Sequence, residues 1–405
     1  MTSTFETSAK EQLTVNDIRY NNKVNLFTDI VSSTGITRND LAVKNNISFM
    51  TAKNIVDELL GMDLIEEHLL NSSVGRKPTA LQVKSNYGNV VCINLSSINE
   101  LRFIIYDLRG TTLASQIFTF KPREKTIDEK IDIVINAIKK CLEDIPTETI
   151  GITALVPGIY YEKEDILRFA VDRELDDLHI KEILKEAFDI QNIQIIHDTL
   201  AFANAEYELD NIGDYSQFYL YCGEGVGGCF TNFDGKPVFG ENLLAGEIGN
   251  IIHSWSKDGK PVRLETLLSI AEMRQRLPER YHDMTFSEVL KMSRTDSEVA
   301  AVVNKAFPAV SEMLYNIVWL FNPTKIVVDS YCNEYADLIV KNADAFLKKH
   351  FEEDSLHKTR IIAAKSDEYH TMKWCMKYTR LCWIEQIVST ETGLKLVSER
   401  KEGIV

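Results

Sequence analysis

Residues 22–33, NKVNLFTDIVSS, place Val24, Phe27 and Val31 on one helical face with Leu26 and Ile30 beside them, which predicts an amphipathic helix. Gly35 breaks it. Thr37 can cap a second short helix over TRNDLAVKNN, with Asp40 at the capping-box position, and Asn45-Asn46 supplies the turn that follows. Ser48 caps a third helix, SFMTAKNIVDELLGMD, in which Ala52, Ile55, Val56, Leu59 and Leu60 recur at i, i+3, i+4, i+7 and i+8, and Gly61 ends it. Leu64-Ile65 and Leu81–Val83 then read as strands around NSSVGRKPTA, a hairpin with Arg76 and Lys77 at its tip. Two short helices joined by a tight turn are what a helix-turn-helix needs to lay the later helix in a major groove, and the hairpin makes a wing.

Ser48, Phe49, Thr51, Lys53 and Asn54 lie off the apolar stripe and would face DNA, together with Arg38 on the preceding helix. Asp57 and Glu58 would repel phosphates, so only the first two turns can enter the groove deeply. Arg76 and Lys77 can reach phosphates or a narrow minor groove. The same pattern also fits a three-helix oligomerisation or protein-binding module with Arg76 and Lys77 as solvated charges.

After Tyr87-Gly88 the texture changes to β-branched runs, VVCINLSS, LRFIIYDL and TTLASQIFTF, then a helical KIDIVINAIKKCLEDI and strands IGITALV and IQIIHD. Further on come QFYLYC, a glycine-rich turn, a helical SEMLYNIVWLF and KIVVDS. Strands interleaved with helices predict an α/β architecture, and two sets of hairpin strands, each followed by alternating elements, suit a pair of related lobes. Gly223-x-Gly225-x-x-Gly228 matches the dinucleotide fingerprint formally, but TNFDGKPVFG follows it where a helix would be required. A tight hairpin is the preferred reading over a phosphate-cradling turn.

Composition narrows the class. The 405 residues carry a net charge of -15, which alone argues against a nucleic-acid partner. Residues 1–85, however, hold nine Lys/Arg against ten Asp/Glu, leaving 36 against 50 for the remainder, so the acidity spares the segment that would meet phosphates. The opening MTSTFETSAKEQLT lacks an apolar signal region and no later run is long enough to span a bilayer, so a cytoplasmic protein without a membrane partner is expected. Seven cysteines form no CxxC pair and read as buried free thiols.

Several motifs fall in a family's order. GITRNDLAVKNNISFMTAKNIVDELLGMDLIEE followed by GRKPTALQV resembles the winged-helix head of the ROK family (repressors, open reading frames, kinases). CGEGVGGCFTNFDGKPVFGENLLAGEIGN resembles its central signature, and LVPG at 155–158, His197-Asp198 and LFNPTKIVVDS at 320–330 occupy the expected places. The resemblance implies two actin-like α/β lobes with a sugar cleft between them, and a division into a flexible segment 1–20, a winged helix-turn-helix 21–86 and a two-lobed effector-binding and oligomerisation region 87–405. Asp198 matches the kinase members' general base, with His197 in place of its asparagine neighbour, and Glu247 and Glu265 match two sugar-binding glutamates. Ionised carboxylates accept charge-assisted hydrogen bonds from sugar hydroxyls, which suits that role. Without the resemblance, Asp198 reads as a helix cap and the two glutamates as surface acids.

The chain departs from the kinase pattern. The first phosphate turn is Asn94-Leu95-Ser96-Ser97-Ile98-Asn99 without glycines, Glu224 stands in the second, and Asp329-Ser330 replaces a later glycine pair. The family's zinc-binding histidine is Asn250, expected instead to hydrogen-bond the ligand, and the fourteen residues between it and Glu265 include no cysteine, so His253 alone cannot build a structural zinc site. The expectation is therefore a repressor without catalytic residues, metal or ATP, binding double-stranded operator DNA as a homodimer or homotetramer and a sugar or sugar derivative at His197, Asp198, Glu247, Asn250 and Glu265. An active sugar kinase with a DNA-binding head and a regulator controlled by a protein partner are the alternatives.

Overall fold

The computed structural model describes residues 15–33, 35–69, 79–84, 87–97, 99–121, 124–170, 173–209, 215–351 and 358–392. The head begins with α1 (Val15–Ser32), α2 (Arg38–Lys44) and α3 (Phe49–Gly61). Because α1 starts at Val15, residues 15–20 belong to the head and not to a flexible leader. In its first turn Asn16 and Ile18 are exposed and Asp17 is favourably placed at the helix start, so no buried apolar stripe marks it in the sequence. Thr37 Oγ1 accepts the Asp40 N–H while the Asp40 carboxylate accepts the Thr37 N–H, closing the capping box that starts α2. Ser48 Oγ accepts the Thr51 N–H at 3.0 Å and starts α3. β1 (Ile65–Leu69) and β2 (Thr79–Val83) pair antiparallel with Ile65 opposite Val83. The hairpin tip with Arg76 and Lys77 lies outside the described residues.

Lobe one contains β3 (Asn89–Asn94), β4 (Glu100–Asp107), β5 (Thr112–Thr119), α4 (Ile127–Glu143) and β6 (Thr149–Val156). A small pair β7 (Ile159–Tyr161) and β8 (Ile166–Arg168) follows, then α5 (Ile180–Phe188) and β9 (Ile193–His197). Its sheet runs β5-β4-β3-β6-β9, antiparallel among the first three strands and parallel from β3 to β9. Helix α6 (Asp198–Leu209) then carries the chain to lobe two.

Lobe two opens with the hairpin β10 (Gln217–Cys222) and β11 (Val226–Thr231), joined by the tight turn 223–225. There follow β12 (Ile252–Trp255), β13 (Pro261–Arg263), α7 (Leu264–Leu268), α8 (Ile270–Arg276), α9 (Phe286–Met292), α10 (Ser297–Val303) and α11 (Ala306–Phe321). β14 (Lys325–Asp329), α12 (Asn333–His350) and β15 (Arg360–Ala363) complete it. The order β11-β10-β14-β15, a hairpin followed by parallel strands, repeats the wiring of lobe one.

The last helix, α13 (Glu368–Thr392), crosses back over α6 and packs on lobe one and on the head. Ala201 and Ala203 of α6 are fully buried in the apolar core to which α13 contributes. Glu206, fully buried on α6, accepts the backbone N–H groups of Lys365 and Ser366 at 2.9 and 2.7 Å, pinning the segment that leads into α13. At the far end, Trp383 meets Phe27 of α1 at 5.7 Å between ring centroids and Tyr87 at 5.4 Å. Arg380, 4% exposed, donates to the Leu108 carbonyl at 2.5 Å and to Ser32 Oγ at 3.2 Å. One apolar core therefore runs from Phe27 and Leu59 of the head through Trp383 and Met376 to Cys92 and Tyr106 of lobe one. Among the described residues no helix is long and apolar enough to cross a membrane. All seven cysteines are free thiols, six of them buried.

Candidate functional site

β9 ends at His197 and α6 begins at Asp198, so both stand at the C-terminal end of a parallel strand, where α/β folds collect ligands. Thr199 donates its N–H to Asp198 Oδ1 at 2.5 Å and its hydroxyl to the same oxygen at 3.2 Å, so Asp198 also serves the helix start. His197 Nε2 lies 3.6 Å from that oxygen. Asp198 is buried, and burial raises its carboxyl above the ordinary range, while His197 and the Thr199 hydrogen bonds act against the rise.

The GEIG loop is clamped to β11. Gly246 has φ +101°, its carbonyl accepts the Gly228 N–H at 2.8 Å, and a Cβ there would overlap the Gly228 carbonyl. Glu247 is thereby aimed at lobe one: burial raises its carboxyl, His197 opposes the rise and Asp198 adds to it. Glu265, at the start of α7, accepts the Val226 N–H on Oε2 at 3.0 Å, and Gly249 passes so close that a Cβ would overlap its carboxylate. Burial pushes the Glu265 carboxyl up to about 7, against the Val226 hydrogen bond and with help from Glu272 and Glu247. Its bond to Val226 ties the loop to the hairpin whatever else it contacts.

A cavity of about 260 Å³ opens between the lobes, and His197 and Glu247 line it. Asp198 and Glu265 stand behind them and do not line it; nor does Asn250, which is exposed. Most of the fourteen residues between Asn250 and Glu265 form the hairpin β12–β13, and His253 Nδ1 lies 3.8 Å from Glu312 Oε2. A further wall comes from α13, whose Trp374, Tyr378 and Leu381 face the cavity at i, i+4 and i+7. Their spacing is visible in the sequence, but nothing there tells which helix face meets the cleft.

Around the turn 223–225, the Tyr331 hydroxyl donates to Glu224 Oε1 at 2.6 Å and the Tyr219 hydroxyl to Asp329 Oδ2 at 2.5 Å. Asn94 Nδ2 donates to Glu368 Oε1 at 2.9 Å. On the head, Phe49 and Met50 are 52% and 63% exposed, and Ser48, Lys53 and Asn54 share their open face with Thr51 half-buried at its edge. Met50 carries no polar group that would mark it in the sequence as part of this face. Arg38 is held by Asp57 at 3.3 Å and Glu67 at 2.5 Å, and Lys53 by Asp57 at 2.8 Å, so a phosphate would have to compete with these acids.

The two lobes with repeated wiring and a cleft at their strand ends define an actin-like, sugar-kinase type of fold. Residues 91–372 match the ROK family, and the chain belongs to it. It is 23% identical over 347 residues to a xylose repressor of Caldicellulosiruptor bescii, covering 79% of this chain and 85% of that one. Among solved structures, a ROK family transcriptional regulator described as a homolog of the E. coli MLC protein superposes with a TM-score of 0.72 at 16% identity, over 93% of this chain and 99% of its own. A putative N-acetylmannosamine kinase from Listeria monocytogenes gives a TM-score of 0.57 at 19% identity, over 72% of this chain and 98% of its own.

The Glu265 carboxyl gives a pH test. Its folded pKa of about 7 lies above the ordinary 4.5, so burial costs nothing while both states are protonated, and stability falls as pH rises from about 4.5 through 7. Glu265→Gln keeps an acceptor for Val226 and removes the charge. The variant is expected to melt higher than the parent at pH 8, by about 1–2 °C per kcal/mol relieved, and level with it near pH 4. Equal shifts at both values, followed by calorimetry, would contradict the assignment.

Proposed function

We propose that this protein is a sugar-responsive DNA-binding repressor of carbohydrate genes whose kinase-like cleft binds an effector and does no chemistry. The head is read as a winged helix-turn-helix, with Ser48, Phe49, Met50, Lys53 and Asn54 on the face of α3 turned toward the major groove and Arg76 and Lys77 in the wing. The observation that carries the reading is α13. One face of it walls the inter-lobe cavity through Trp374 and Tyr378, and further along it holds the head through Trp383 and Arg380. A ligand that changes lobe closure must therefore move or strain the seat of the DNA-binding head. The repressor name of a relative spanning 79% of the chain, and the regulator fold that covers 93% of it, support the same reading.

His197, Asp198, Glu247 and Glu265 would hold the effector's hydroxyls, with Asp198 and Glu265 reached as the lobes close. Nucleotide does not fit the residues present: the Glu224 carboxylate, held by Tyr331, points a negative charge into the turn that would receive phosphates. Zinc does not fit either, since a structural site needs four ligands and the loop that holds His253 has no cysteine. Two-fold operators require paired heads, so a homodimer or homotetramer is proposed. A coupled ADP-release assay across pentoses, hexoses and N-acetylated hexoses tests the non-catalytic reading. No turnover above the enzyme-free rate is expected, and sugar-dependent ADP release would overturn it in favour of a kinase with a DNA-binding head.

A further inference from the structure

We infer that the effector is a glycoside rather than a free monosaccharide: a sugar ring held by His197 and Glu247, bonded to a second group with an apolar face that lies against Trp374 and Tyr378. The inference rests on the reading of the cleft as an effector site. One continuous cavity joins the two parts. At one side stand His197 and Glu247, backed by the buried Asp198. The rest of the wall is mostly apolar, with Val238, Phe239, Trp374, Tyr378 and Leu381, and includes Asn204, Gln194 and Lys236. Trp374 and Tyr378 are half-buried and stacked, with ring centroids 5.4 Å apart and planes 12° from parallel, so they form one rigid aromatic shelf.

A free pentose or hexose carries a hydroxyl on almost every carbon. A single ring held at His197 and Glu247 leaves the aromatic shelf uncovered and gains no contact from it. A ligand divided into a hydroxylated end and an apolar-faced end covers both parts of the cavity. Aromatic shelves favour flat apolar faces, which both the C–H face of a second sugar ring and an aryl aglycone provide. Since Trp374 and Tyr378 belong to the helix that seats the head, the second group is also the part of the ligand placed to act on α13.

The test uses the full chain and calorimetric titration with matched probes: free xylose, glucose and N-acetylglucosamine, their phenyl α- and β-glycosides, and the corresponding β-1,4-linked disaccharides. At least one glycoside is expected to bind tenfold or more tighter than its parent sugar. Trp374→Ala should remove about thirtyfold of glycoside affinity, in the range of a buried aromatic contact, and leave affinity for the parent sugar unchanged. Trp374→Leu, which keeps apolar volume, serves if the alanine variant fails to fold, and should lose most of the same gain. Phenyl glycosides favoured over disaccharides would name an aryl aglycone, and the reverse a second ring; either supports the inference. Parent sugars that bind as tightly as every glycoside, or a glycoside gain that survives Trp374→Ala and Trp374→Leu, would overturn it while leaving the effector reading intact. If no probe binds, both fall.

Discussion

Replacing Trp383 with alanine is expected to destabilise the protein by about 3–5 kcal/mol, the range for deleting a large buried aromatic, and to weaken DNA binding although Trp383 faces no groove. The indole is 8% exposed and sits where three parts of the chain converge. Phe27 of α1 meets it from the head, Tyr87 from the segment leading into lobe one, and its own helix carries the cavity wall. Its removal opens a void in the core that head and lobe one share, so the head loses its seat. Denaturant unfolding with a DNA-binding titration checks this. A loss under about 1 kcal/mol would mean that the head folds and sits independently of α13. By contrast, Phe49→Ala removes a side chain 52% exposed at the start of α3 and should leave stability unchanged.

The second large effect concerns Asp198→Asn. Asparagine keeps an oxygen to accept the Thr199 N–H and start α6, but removes the buried negative charge. Hydrogen bonds to a charged group contribute about 1.5–3 kcal/mol each, so effector affinity is expected to fall about tenfold to a hundredfold while DNA binding stays at the parent level. An effector response equal to the parent's would show that the carboxylate plays no part beyond capping the helix.

Much of this architecture is legible in the chain. The head's caps at Thr37, Asp40 and Ser48 are local, since a hydroxyl and an amide three residues on decide them, and the structure forms each one. The strand runs of both lobes and the hairpin turn at 223–225 also follow from local pattern. What depends on distant partners is not legible. Helix α13 carries apolar residues on several faces because lobe one, the head and the cleft surround it, so its periodicity gives no direction. Glu265 reads from its motif as a sugar contact, and nothing nearby announces that the Val226 N–H takes one of its oxygens. Asn250, placed by motif beside the ligand, stands exposed outside the cavity because the loop after it turns away into the hairpin β12–β13.

The central claim is that cleft and head are coupled through α13, and coupling of two binding events is reciprocal. The direct measurement selects duplexes from a random pool on the immobilised full chain, then titrates the enriched duplex with and without each sugar and glycoside probe, for the parent and for Asp198→Asn. The account predicts an enriched duplex, at least one probe that weakens its binding to the parent, an equal factor by which DNA weakens that probe, and in the variant the same effect only at about tenfold to a hundredfold higher probe concentration. Probes that bind the parent tightly and leave DNA affinity unchanged would contradict it.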